Sequence, residues 1–200
     1  MKKNFLLGVF LAFTISMPAA ITINFGAADL RTAGGSALIP DNSLVYVVAS
    51  TTDTTFNPPT SSGFVSGDDI IIASGPATSG TWGFPLSASY SGDWNAGDRL
   101  QLYWFPSSTS ISTPPNTGDS YGAYRTEAVS TGSDIAWVSP ADNFNGALSL
   151  LTLSSPGGTI ANSAGYADFT VAAVPEPSTY GMVFGFFSLA GAIALKRIRK

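Results

Sequence analysis

The chain has 200 residues and contains neither cysteine nor histidine, which excludes disulfides, thiolate chemistry, imidazole bases and the common zinc ligand sets. Its 9 lysines and arginines are outnumbered by 13 acids, and Lys2, Lys3, Lys196, Arg197, Arg199 and Lys200 sit at the two ends. Between Ile21 and Val174, twelve acids face only Arg31, Arg99 and Arg125, a formal net charge of −9 that repels phosphate backbones and predicts no nucleic-acid partner.

Residues 1–20 read as a signal peptide. Lys2 and Lys3 form a positive start, Phe5 to Phe13 an apolar run, and Thr14, Ser16 and Pro18 break it before the small pair Ala19-Ala20. The run is too short for a span of ~20 residues, which argues against a permanent anchor. Cleavage is expected after Ala20; Ala19 and the neighbourhood of Ala28 are alternatives, because Pro18 fits the −3 position imperfectly.

Residues 21–173 are punctuated by Gly, Pro, Ser, Thr, Asn and Asp, with short apolar runs rich in β-branched and aromatic residues between them. Ile21 to Phe25 alternates with period two, as a half-buried strand does. Leu44 to Ala49, Ile70 to Ala73, Arg99 to Phe105, Ile135 to Val138, Leu148 to Leu153 and Ala167 to Val171 read as further strands. In Arg99 to Phe105, Leu100, Leu102 and Trp104 share one face, and Gln101, Tyr103 and Phe105 the other. No amphipathic helix interrupts them. The pattern predicts one all-β domain, an antiparallel β-sandwich or jelly roll, with long loops at Thr51 to Ser66 and Pro106 to Asp119.

The same segment is poor in chemistry. With no Cys, His or Lys in it, none of its serines has a familiar activating partner. Glu127 opposite an aspartate is the one arrangement compatible with glycoside hydrolysis, and nothing in the sequence selects the aspartate. Asp68-Asp69, Asp93 and Asp98 supply oxygens but lack calcium-loop spacing, so turn capping is the expected role and no metal or cofactor is predicted. Trp104 and Trp137 lie in strand sequence and are expected in the core. Trp82 and Trp94 lie among turn residues, where exposed rings would stack on sugars.

The chain closes with Val174-Pro175-Glu176-Pro177-Ser178-Thr179, an uncharged stretch over 180–195, and Lys196-Arg197-Ile198-Arg199-Lys200. A helix over the stretch from Ser178 to Leu195 would reach about 27 Å, the thickness of a thin bilayer core, with the cations held inside. This three-part tail resembles the PEP-CTERM sorting domain of Gram-negative bacteria. The resemblance covers residues 174–200 and matches the motif positions at Pro175, Glu176 and Pro177. It implies recognition by an exosortase after export by the Sec machinery, transient membrane residence through 180–195, and a final place at the cell surface or in the extracellular matrix. Proteins with such tails accompany extracellular polysaccharide and biofilm. The expected function is therefore a structural or interaction role in the envelope or biofilm, not an enzymatic one. A carbohydrate-binding module recognising exopolysaccharide is the alternative, and a secreted glycoside-active enzyme ranks below both.

Overall fold

The β-branched and aromatic runs form eight strands in a computed structural model, which describes residues 20–125, 136–151 and 165–174. In chain order these are β1 (Ala20–Ala28), β2 (Leu44–Ser50), β3 (Asp69–Pro76), β4 (Trp82–Ser89), β5 (Arg99–Phe105), β6 (Ser120–Tyr124), β7 (Asn145–Leu151) and β8 (Phe169–Thr170). The single helical element among the described residues is a 3₁₀ turn at Ala33–Gly35. No helix among those residues is long and apolar enough to cross a membrane. Residues 1–19 of the expected signal peptide, Glu127, Pro175 to Thr179, the stretch 180–195 and the basic residues Lys196, Arg197, Arg199 and Lys200 lie outside the described residues.

The strands make two sheets, β4-β1-β7 and β3-β2-β5-β6-β8, whose facing sides meet in one core. Ile21, Ile23 and Phe25 of β1 point into that core, while Thr22 and Asn24 point away, as the alternation requires. Val45, Val47 and Ala49 of β2, with Leu100, Leu102 and Trp104 of β5, supply the other side. All-β sandwich architecture thus follows the sequence pattern, with one departure. β1 and β7 pair in parallel, whereas the other pairs are antiparallel, so this is not an antiparallel sheet pair throughout. A parallel pair needs a crossover, and the whole five-stranded sheet except β8 lies between β1 and β7 in the chain.

Other strands differ in detail from expectation. Ile135 to Val138 forms no strand within its described part: Trp137 is buried, its carbonyl accepts the Leu100 N–H at 2.9 Å, and Val138 makes one isolated bridge to Arg99. β8 is limited to Phe169–Thr170, and β7 starts at Asn145, ahead of the apolar run. In β3 the register shifts between the partners of Val47 and Val48, leaving Ile72 as the extra residue. This bulge turns Ile70, Ile72 and Ala73 toward the main core and Ile71 to the outer face.

β3 hands the chain to the other sheet through a two-residue turn. Thr78 and Thr81 exchange both backbone hydrogen bonds (2.8 and 2.9 Å), and Ser79 and Gly80 between them have φ of 48° and 70°. Two positive values define a type I′ turn, whose twist suits an antiparallel pair. Asp41 Oδ1 accepts the Ser79 N–H at 2.6 Å and fixes the turn from outside. Gly80 is required twice over. A β-carbon there would carry a left-handed backbone and lie 2.9 Å from the Leu30 carbonyl oxygen and 2.8 Å from Leu38 Cδ2. Gly80→Ala should destabilise the domain by about 2–3 kcal/mol, read as a lower urea midpoint at unchanged slope.

Candidate functional site

The five-stranded sheet is apolar on both sides. Its outer face carries Leu44, Tyr46 and Val48 of β2, Tyr103 and Phe105 of β5, Tyr121 and Ala123 of β6, and Val171 beyond β8. Such a face cannot stand open to water, and the loop from Thr51 to Ser66 folds down over part of it with Phe56 and Phe64. Phe64 packs edge-on against Phe105 (5.1 Å) and Tyr46 (5.6 Å), and its carbonyl accepts the Tyr46 hydroxyl at 3.2 Å.

Two adjacent aspartates hold the loop. Asp68 Oδ2 accepts the N–H groups of Thr52 (2.7 Å) and Asp53 (3.2 Å), and these bonds hold its carboxyl below the usual range. Asp69 is 5% exposed; its Oδ2 accepts the Asn57 N–H at 2.7 Å, while its Oδ1 has no partner among the described residues. Burial raises the Asp69 pKa, the negative charges of Asp68 and Asp53 add to that, and the Asn57 hydrogen bonds oppose it. Turn capping, as expected from sequence, is what Asp68 does here; Asp98 does likewise for the Asn95 N–H at 2.7 Å. No cluster of three or more metal-ligating side chains occurs among the described residues.

Between loop and sheet lies a pocket of about 360 Å³, lined by Phe56, Gln101, Tyr103, Tyr121, Arg125 and Phe169, with Thr54, Thr55, Pro58 and Ala123 also in its lining. Rings directly opposite one another on neighbouring strands form a ladder: Tyr46 to Tyr103 (5.3 Å, 18° between planes), Phe105 to Tyr121 (5.3 Å, 16°) and Tyr121 to Phe169 (5.4 Å, 27°). Near-parallel rings this close overlap face to face with an offset, so they stand upright on the sheet and present edges and hydroxyls outward. Burial raises the pKa of Tyr103, with Asp69 and Tyr121 adding and Arg125 opposing, and burial alone raises that of Tyr121. Both phenols therefore stay protonated at neutral pH. Arg125 Nη1 donates to the Thr54 carbonyl at 3.0 Å, and its guanidinium lies 5.1 Å from the centre of the Phe56 ring. Gln101 is 3% exposed and its Oε1 has no partner among the described residues.

The tryptophans expected to stack on sugars are elsewhere and face inward. Trp82 is 3% exposed: it opens β4, just past the Ser79-Gly80 turn, and lies against Phe84 (6.0 Å) and Phe25 (6.4 Å). Trp94 is 5% exposed; it does sit in a turn, but its Nε1 donates to Ser139 Oγ at 2.8 Å and Tyr90 packs against it at 4.8 Å. Neither ring offers a face to a ligand, so that expectation is corrected. Trp104 and Trp137 are core residues as expected. A sequence signal for the pocket did exist in Gln101, Tyr103 and Phe105: a polar amide among rings on the second face of a strand whose first face is already core. A second, smaller hollow of about 220 Å³ over Ser107 to Asn116 is lined almost entirely by hydroxyl and amide groups.

No protein-family model, curated protein or solved structure matches this chain.

The raised pKa of Asp69 carries a definite sign. Above about pH 4 an unfolded aspartate loses its proton while folded Asp69 holds it, so stability falls as pH rises toward the folded value. Asp69→Asn keeps an acceptor for the Asn57 N–H and removes the buried charge. It should leave the urea midpoint nearly unchanged at pH 3 and raise it at pH 7.

Proposed function

We propose that this is an exported surface or extracellular-matrix protein of a Gram-negative bacterium, sorted by an exosortase through Val174 to Thr179 and acting as a structural or interaction module in envelope or biofilm. The observation that carries this reading is the tail: Pro175-Glu176-Pro177, an uncharged stretch over 180–195, and four terminal cations, in that order. The position of its first residue supports it. Val174 lies just beyond β8, is 43% exposed, and its N–H donates to Ser61 Oγ at 3.3 Å, so the chain leaves the sandwich at the surface. A processing enzyme needs such access. Prolines on both sides of Glu176 favour an extended segment that an enzyme can grip.

The front end is consistent with removal of a leader near Ala20. Cleavage after Ala19 or Ala20 keeps Ile21, Ile23 and Phe25 in β1. Cleavage near Ala28 would delete the central strand of the β4-β1-β7 sheet, and that alternative is set aside. Sec export followed by transient membrane residence through 180–195 completes the route.

Two rivals fare differently. An enzyme of the glycoside-hydrolysing kind needs two carboxylates about 5–10 Å apart across a groove. Among the described residues neither hollow is lined by such a pair, Asp119 being the one acid in either lining, and Glu127 lies outside those residues. A carbohydrate-binding role no longer has Trp82 and Trp94 to rest on, and falls instead to the outer-face pocket.

Intact-mass measurement of the protein released from the cell surface tests the sorting reading. The mature form should lack residues 181–200, and Pro175, Glu176 and Pro177→Ala together should leave the chain in the inner membrane with its tail attached. A wild-type surface form that still contains Gly181 to Lys200 would overturn it.

A further inference from the structure

We propose that the pocket between the Thr51–Ser66 loop and the outer face of the five-stranded sheet binds a neutral sugar ring, held through the Gln101 amide and the Arg125 guanidinium. The proposal goes beyond the sorting reading and needs only the pocket itself. That the sugar belongs to a surface polysaccharide does rest on export.

The pocket is built and not incidental. Its loop is fixed at several points: Asp68 on Thr52 and Asp53, Asp69 on Asn57, Asn57 Nδ2 on the Ser66 carbonyl at 3.1 Å, and Ser50 Oγ on the Thr55 carbonyl at 3.1 Å. Its volume falls at the small end of the roughly 300–1,000 Å³ range of small-molecule sites, room for a ring or two and not for a peptide helix.

Gln101 is the pointed observation. A buried amide with an unpartnered oxygen costs on the order of 1–3 kcal/mol unless something satisfies it. Gln101 lies in the pocket lining, in the centre of a sheet, where an apolar residue would pack without that cost. Arg125 is pre-positioned by the Thr54 carbonyl and the Phe56 ring, so little side-chain freedom is lost when it binds.

The lining chemistry selects the ligand class. Gln101 offers both an acceptor and donors, Arg125 donors, and the neutral hydroxyls of Tyr103 and Tyr121 both at once. Mixed donors and acceptors among ring edges complement the hydroxyls and C–H groups of a sugar. Among the described lining residues there is no acid to receive a cationic ligand. A polyanion would approach a domain of formal net charge −9 between Ile21 and Val174, so an uncharged ring is favoured over a uronate. Because the Tyr103 ring stacks on Tyr46 and the Tyr121 ring on Phe105 and Phe169, their faces are taken up by neighbouring rings, so recognition works through hydrogen bonds at ring edges and not through broad face stacking.

The test uses the full-length chain purified in a detergent without a sugar headgroup, since a maltoside would itself compete. Malto-, cello- and galacto-oligosaccharides are titrated by saturation-transfer NMR and calorimetry, with oligogalacturonate and oligoguluronate as anionic arms. At least one neutral series should bind with Kd below about 10 mM, and Gln101→Leu should weaken it by roughly tenfold or more. Gln101→Leu places an apolar side chain of comparable volume at the site, so its urea midpoint should not fall, which separates lost binding from lost folding. Arg125→Gln, on the rim of the pocket, provides a second variant and should weaken binding likewise. Binding of uronates in preference to every neutral series would overturn the ligand class. No binding by any neutral series, or binding unaffected in both variants, would overturn the site. None of these outcomes depends on how the tail is processed.

Discussion

Strands β2 and β5 are apolar on both faces, and most of the structure is a response to that. A strand with one apolar face needs one partner layer. Here Val45, Val47, Leu100, Leu102 and Trp104 need the β4-β1-β7 sheet, while Leu44, Tyr46, Tyr103 and Phe105 need a second cover. No third sheet exists among the described strands, so a loop supplies that cover, and a loop covers a flat face incompletely. The pocket is what remains uncovered. Its position is set by how far Phe56 and Phe64 reach across the ladder of rings.

Asp68 and Asp69 show how strongly placement separates two identical neighbours. Alternation along the start of β3 sends one toward solvent, where backbone N–H groups stabilise its charge, and the other under the loop, where burial opposes its charge. The second is an expensive way to fix Asn57, since an asparagine could accept the same bond without a buried carboxylate. It fixes the loop nonetheless, and with it the near wall of the pocket.

Much of the sandwich was legible because its central strands are long, apolar and alternating. The period-two pattern of Ile21 to Phe25 survives intact in the burial of β1, and the two-faced reading of Arg99 to Phe105 is reproduced residue by residue in the two cores. β4 was not legible, because Gly83, Pro85, Ser87 and Ser89 within Trp82 to Ser89 look like loop. Pro85 is tolerated since, among the described strands, β4 pairs with β1 alone and lies on the sheet edge. β6 was hidden by Gly122, whose missing side chain makes room for the Trp104 indole beside it. That need is tertiary and leaves no local trace. Trp82 and Trp94 were misplaced for a related reason: turn residues around an indole say where the backbone bends, not which way the ring points. The pocket needed the cover loop to fold over the ladder, a contact between segments far apart in the chain.

The strand order has a consequence for synthesis. β1 emerges first, yet it occupies the middle of its sheet, and its neighbours are Trp82 to Ser89 on one side and Asn145 to Leu151 on the other. The leading segment of the domain therefore has nothing to pair with until a large part of the chain has followed it, and its final ladder waits for β7. The smaller sheet closes late, around a strand made early. A polypeptide with that timetable gains its full resistance to unfolding only once most of the domain has been made.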